Sequence, residues 1–305
     1  PAWRPGRRPC AMALIRRDSP YPHWEFVGST PDAQDDADSA DLLRIVPDRG
    51  GLVTGWRCSG AEMLYFDAER FADPTKSVRG GIPVLFPICG GLPGNQLPLP
   101  QGSFELPQHG FARDQRWQLS ELPSGDGVQL QLSDTPSTLA AYPFAFGLTL
   151  ELRLEPEALA IRAVIDNRSD APMPFSLGLH PYFNVSDLSG VRFEGLPERC
   201  FNHLTMADEH TADQLSRLEQ GIDLLVRPTG DVQLIDPGAR RGSGRRITLQ
   251  CSHPLDLVVL WSDPPRPMLC LEPWSGPRSA LISGDRRLEL APGANMALQT
   301  RYAVS

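Results

Sequence analysis

Leu148-Thr-Leu-Glu-Leu-Arg-Leu154, then Glu155-Pro-Glu157, then Leu159-Ala-Ile-Arg-Ala-Val-Ile165 is the stretch that decides the fold. Leucines at 148, 150, 152 and 154 alternate with Thr149, Glu151 and Arg153. Successive side chains of a strand point to opposite faces, so this period of two marks a half-buried β-strand. Glu155-Pro156-Glu157 breaks the pattern, and Leu159, Ile161, Ala163 and Ile165 resume it as far as Asp166-Asn167. Two long alternating runs around a short break predict an antiparallel hairpin.

Outward from this hairpin the same signal recurs in shorter runs: Trp117–Leu122, Val128–Leu132, Ile247–Cys251, Leu257–Trp261, Met268–Leu271 and Arg287–Leu290. Turn-forming residues separate them, drawn from 31 prolines and 27 glycines in 305 residues, a composition that argues against a helical bundle or solenoid. Many short strands between Pro/Gly-rich turns predict an all-β protein, a large antiparallel sandwich or a barrel. Helical signal is confined to a turn or two within Ala207–Glu219, and Ser77–Pro87 is too rich in glycine and proline to be a helix. With no internal repeat and no linker, residues 42–305 read as a single domain. Residues 1–41 read as a tail, with arginines at 4, 7, 8, 16 and 17 and a solvated acidic loop holding Asp32, Asp35, Asp36, Asp38 and Asp41.

Composition excludes several function classes. Lys76 is the single lysine against 28 arginines, and it lacks the glycines of a phosphate-binding P-loop. Schiff-base chemistry would have to run through that one residue. A net charge of −8 disfavours nucleic acid and anionic membranes as partners. The four arginines of Ala239–Arg246 suit a flexible hairpin tip better than a phosphate grip. Six scattered cysteines form no C-x-x-C pair, so they read as reduced, mostly buried thiols of a cytoplasmic protein. No apolar run of membrane-spanning length occurs, and the first residues lack the apolar core of a secretory signal. An Arg-rich start resembles a transit peptide, but a disordered tail or a start placed upstream of Met12 is the preferred reading.

Signatures of serine hydrolases, zinc proteases and dinucleotide-binding folds are absent. His203 and His210, beside Asp208 and Glu209, read as exposed loop histidines in preference to a metal site. What remains is acid/base chemistry by histidine and carboxylate. Arg79-Gly-Gly-Ile-Pro-Val-Leu-Phe-Pro87 with Gly90-Gly91 is a rigid, irregular segment whose backbone can approach a ligand closely. His109-Gly-Phe-Ala-Arg113 and Leu177-Gly-Leu-His-Pro-Tyr-Phe183 each present a histidine at a bend. Taken singly, each histidine reads first as structural; together they suggest one site on loops between strands. Glu272, in Met268-Leu-Cys-Leu-Glu-Pro-Trp274, ends an apolar strand. It is either an exposed turn cap or a desolvated general base with a raised pKa.

These motifs, in this order, resemble the aldose 1-epimerase (mutarotase) superfamily, most closely its glucose-6-phosphate 1-epimerase (hexose-6-phosphate mutarotase) branch. The resemblance runs from about Leu42 to Tyr302. It implies a galactose mutarotase-like supersandwich with a shallow sugar groove, needing neither cofactor nor metal. The implied reaction is exchange of the α and β anomers of a hexose 6-phosphate by acid/base-catalysed ring opening, with acid and base on opposite sides of the sugar. By resemblance Glu272 is the general base, His180 the general acid, and His109 and Asp223 bind the sugar. Arg79 and Arg113 would form the phosphate patch. Two positions depart from the branch: Val226 stands where a tyrosine is common, and Cys89 precedes Gly90 where an aromatic residue is frequent. The expected partner is a small sugar phosphate acting on a monomer. The alternatives are a mutarotase for free aldoses, independent of the two arginines, and a non-catalytic carbohydrate-binding sandwich, which would have no use for an acid/base set.

Overall fold

The computed structural model describes residues 13–28, 40–239 and 244–305. The acidic residues Asp32–Asp38, the arginines before Met12, Cys10 and the tip of the Ala239–Arg246 loop lie outside them. No helix among the described residues is long and apolar enough to cross a membrane.

The alternating stretch forms the centre of the larger layer. Phe146–Glu155 pairs antiparallel with Ala158–Asn167 along its whole length, from Phe146 opposite Asn167 to Glu155 opposite Ala158. This hairpin sits inside an eight-stranded antiparallel sheet. On one side Gly127–Ser133 and Gln118–Glu121 extend it; on the other come Asn295–Val304, Arg245–Gln250, Val232–Asp236 and Arg192–Glu194. Of the predicted inward set, Leu148, Leu150, Leu152, Leu159, Ile161, Ala163 and Ile165 are buried in the main core, while Leu154, near the hairpin's turn, is only partly buried against it.

The second eight-stranded sheet runs Ala207–His210, Arg199–Asn202, Asp223–Val226, Leu257–Ser262, Met268–Trp274, Gly178–Leu179 and Val84–Leu85, with Tyr182–Asn184 also paired to Met268–Trp274. Its strands alternate between two environments. Leu224, Leu260, Leu269 and Leu271 face the main core, while Asp223, Trp261, Cys270 and Glu272 project from the opposite face. Tyr302 joins the layers: its hydroxyl donates to the Leu271 carbonyl at 3.2 Å, and its ring meets that of Phe183 at 5.2 Å.

Two boundaries differ from the sequence reading. Ala13–Arg17 and His23–Val27 are not tail: they pair with each other and onto Leu42–Val46 in a five-stranded sheet with Leu52–Cys58 and Ala61–Glu62. Their outer residues are charged, which hid the pattern, but Phe26 is fully buried in the core. Secondly, the strand beginning at Met268 runs on to Trp274, through Glu272 and Pro273, two residue types depleted in strands. Glu272 therefore lies inside a strand and does not end one. Within Ala207–Glu219 the structure has a strand, Ala207–His210, then a short helix, Thr211–Leu215, and a 3-10 turn, Leu218–Gln220.

Candidate active site

Glu272 and His180 meet because of strand register. Met268–Trp274 pairs with two successive short strands of the same neighbouring segment, Gly178 opposite Trp274 and Tyr182 opposite Cys270. His180 and Pro181 interrupt the ladder between them, in unbroken register, so His180 falls directly across from Glu272. The His180 N–H donates to the Pro83 carbonyl at 3.0 Å, tying this break to the Gly-Gly-Ile-Pro segment. His180 Nε2 lies 3.4 Å from Glu272 Oε1. The acid and base expected on opposite sides of a sugar are thus immediate neighbours.

Burial governs both groups. Glu272 is 1% exposed and receives one hydrogen bond from Trp274 Nε1 at 3.0 Å. Desolvation, reinforced by the Asp223 charge, pushes its carboxyl well above the usual carboxylate range. Burial likewise pushes His180 down to about 3, with the Arg113 charge adding to it. A net-neutral pair follows, with one labile proton between two groups that each resist carrying charge alone. No hydrogen bond holds His180 Nδ1, so the ring's tautomer is set by its Nε2 side among the described residues. Tyr182 stacks on the His180 ring at 4.8 Å between centroids, and Trp261 meets it edge-on at 5.7 Å.

His109 reaches the same place from a tight turn. It sits at φ 68 and Gly110 at φ 69, both left-handed, and a Cβ on Gly110 would fall 2.2 Å from the Phe86 carbonyl oxygen. The Gly90 N–H donates to His109 Nδ1 at 3.1 Å, and His109 N–H donates to the Gly90 carbonyl at 2.7 Å. Nδ1 is therefore an acceptor and Nε2 carries the proton, which pairs with the Gln108 side chain 3.3 Å away once that amide turns its oxygen toward the ring. Burial and the nearby His180 hold this ring well below the ordinary histidine pKa, so it is neutral.

Together these groups line an open cleft of about 230 Å³ on the outward face of the second sheet. Asp223 belongs to it: its strand neighbour is Trp261, and its Oδ1 accepts from His203 Nδ1 at 2.6 Å. His203 is 7% exposed, so it is neither a loop-surface histidine nor part of a site with His210, which faces Glu198 on the exterior. Arg278 donates from Nη2 to Asp223 Oδ2 at 2.7 Å and also lines the cleft. The motif reading missed both residues. Arg278 follows Trp274 by only four positions, so a charge beside the Glu-Pro-Trp motif was its available signal; His203 carried none that is local.

Arg79 and Arg113 both line the cleft. Arg79 lies 3.4 Å from Asp263 and 5.6 Å from the Trp261 ring centroid. Arg113 stands in the 3-10 turn Ala112–Asp114 and donates to the Gln108 carbonyl at 2.8 Å. All six residues expected at one site, His180, Glu272, His109, Asp223, Arg79 and Arg113, are therefore brought together by the fold. One group among the described residues has ligand spacing for a metal ion: His180, Cys270 and Glu272 hold donor atoms within 4.8 Å of one another. Burial pushes the Cys270 thiol well up, which leaves it a poor ligand until deprotonated.

Known proteins are similar to this chain. A family model described as "Aldose 1-epimerase" matches residues 37–303. A protein of Cenchrus ciliaris named "Putative glucose-6-phosphate 1-epimerase" is 32% identical over 177 residues, which cover 54% of this chain and 50% of that protein. The chain thus spans half the length of that relative. A protein of the same name from Escherichia coli K12 is 28% identical over 222 residues, covering 71% of this chain and 69% of that one. Among solved structures, the Slr1438 protein of Synechocystis superposes with a TM-score of 0.83 at 35% identity, covering 100% of this chain and 99% of its own. A galactose mutarotase-like protein of Lactobacillus casei superposes at 0.72 with 20% identity, over 92% and 100% of the two chains, and shares the fold.

Proposed function

Since this chain belongs to the aldose 1-epimerase family, we propose that it is a hexose-6-phosphate mutarotase, exchanging the anomers of glucose 6-phosphate or a related aldohexose 6-phosphate. The observation that carries the reading is the pair of a fully buried Glu272 and a partly buried His180, 3.4 Å apart and opening on a cleft that also holds two arginines.

Anomer exchange breaks the C1–O5 bond. A base takes the proton of the C1 hydroxyl, an acid protonates the ring oxygen O5, the C1–C2 bond rotates, and the reverse steps close the ring on the other face. O1 and O5 are bonded to the same carbon, so the acid and base must themselves be close together. The contact between His180 and Glu272 matches that demand. At rest the shared proton sits on Glu272, since burial raises its pKa and lowers that of His180. Transfer across the 3.4 Å contact to His180 Nε2 gives the reacting form, in which the imidazolium donates to O5 while the Glu272 carboxylate accepts from O1. Afterwards the proton has moved from one member of the pair to the other, and ring closure restores it. The His109 Nε2–H is a neutral donor suited to the carbonyl oxygen of the open chain, and Asp223 accepts from sugar hydroxyls.

Phosphorylated sugar is favoured over free sugar by Arg79 and Arg113, whose planar guanidinium groups suit the oxygens of a phosphate dianion. The charge of each is only partly met within the protein, Arg79 by Asp263 at 3.4 Å and Arg113 by Asp114 at 3.9 Å. NMR exchange spectroscopy with glucose 6-phosphate and with glucose tests both levels. Accelerated exchange is expected with the phosphate ester and much less with the free sugar. Equal acceleration would remove the phosphate from the proposal, and exchange at the buffer rate with both sugars would remove the enzyme. Arg79→Ala should raise KM for the 6-phosphate about tenfold or more, with a far smaller change in kcat.

A further inference from the structure

Besides Arg79 and Arg113, the cleft is lined by an ion pair. Asp223 is held at both oxygens, by His203 Nδ1 at 2.6 Å and by Arg278 Nη2 at 2.7 Å. Each carboxylate oxygen keeps acceptor capacity after one such bond. Arg278 keeps donor capacity: the guanidinium gives Asp223 one N–H from Nη2, and its side chain, partly exposed, lines the cleft.

We propose that Arg278 is a specificity-determining residue which, with Asp223, grips two adjacent hydroxyls of the sugar ring. The inference rests on the sugar-epimerase reading above and adds a contact to it. A carboxylate beside a guanidinium presents an acceptor next to a donor. Two hydroxyls on neighbouring ring carbons present the complement, since each can donate or accept. A phosphate does not fit this pair, because Asp223 would repel it. Phosphate held by Arg79 and Arg113 and a diol held by Asp223 and Arg278 would together fix how the sugar lies over His180 and Glu272.

Gly90 makes room for this residue. Its backbone is left-handed, φ +70, and a Cβ there would fall 2.2 Å from Arg278 Cγ. The same glycine donates to His109 Nδ1. The unbulky Cys89-Gly90-Gly91 segment therefore seats a guanidinium and orients a histidine at once.

Deoxy analogues of glucose 6-phosphate test the clamp, with binding by calorimetry measured beside anomer exchange. The wild-type protein should bind at least one singly deoxygenated analogue (2-, 3- or 4-deoxy) tenfold or more weakly than the parent. Arg278→Met should raise KM and Kd for the parent at least tenfold, change kcat by less than threefold, and bind parent and analogue alike; Arg278→Lys should restore part of the difference. Gly90→Ala should raise KM too, but less than twofold further when added to Arg278→Met. Unchanged KM and undiminished discrimination in a folded Arg278→Met protein would overturn the clamp while leaving the epimerase reading intact. Sugar binding with the expected discrimination but no catalysed exchange would do the reverse. If the wild-type protein binds no hexose 6-phosphate, both fall.

Discussion

Glu272 and His180 respond to pH in opposite directions, and both responses are measurable as stability. Folding raises the Glu272 pKa above its ordinary 4.5. Above that pH the unfolded chain gains an ionised carboxylate that burial denies the folded one, so stability declines as pH rises until the buried carboxyl itself ionises. Glu272→Gln should therefore leave stability at pH 3.5 unchanged and increase it at pH 7, while lowering kcat by about 10²–10⁴ as expected for loss of a general base. Denaturant titrations at the two pH values check the first part; a variant equally stable relative to wild type at both would show that Glu272 is not desolvated. His180 folds with a pKa of about 3 against an ordinary 6.5. Its contribution is complete above 6.5 and is lost as pH falls toward 3, at about 1.4 kcal/mol per pH unit at most. In His180→Gln that acid limb should flatten.

At the scale of elements, the turn that delivers His109 has no room for a side chain at Gly110. Gly110→Ala would place a methyl 2.2 Å from the Phe86 carbonyl, and should cost at least about 2 kcal/mol in chemical denaturation, a left-handed alanine and a main-chain collision combined. A change within 0.5 kcal/mol would mean that the turn is looser than its geometry. His109 was legible as a residue presented at a bend because glycine follows it; that it is left-handed itself was not, since no rule assigns positive φ to histidine. The central hairpin was readable to within about two residues of its strand ends because period-two burial is written directly in leucine and isoleucine. The strand to Trp274 was not, because Glu272, which lines the cleft, and Pro273 both run against strand propensity. His203 illustrates the same limit from another side. Its backbone N–H donates to the Asp223 carbonyl across a strand pair, at 2.8 Å, a relation twenty residues apart in the chain that no local pattern announces.

Across the whole molecule, the second sheet serves two purposes, one on each face. Leu269 and Leu271 anchor it to the core, and Glu272 between Leu271 and Pro273 looks the other way. The strand that carries Glu272 is thus held from behind by Tyr302, fully buried and bonded to the Leu271 carbonyl. Tyr302→Phe leaves that carbonyl unpaired by the hydroxyl and should lower stability by about 1 kcal/mol, roughly 2 °C in Tm for a chain of this size. Unaltered Tm would show the layers do not depend on this link.

The direct opposition of His180 and Glu272 across a strand pair also constrains how such a protein can change by descent. Inserting or deleting one residue between Gly178 and Tyr182 would turn the histidine toward the leucines of the core and break its contact with Glu272. Only changes that preserve the pairing, or that add residues outside it, keep the two side chains together. Arg79, Arg113, His203 and Arg278 carry no such restriction, since all lie outside the strands. Under the proposed reaction, substitutions at those four positions can therefore retune which sugar is held while the proton-transfer pair stays locked in step.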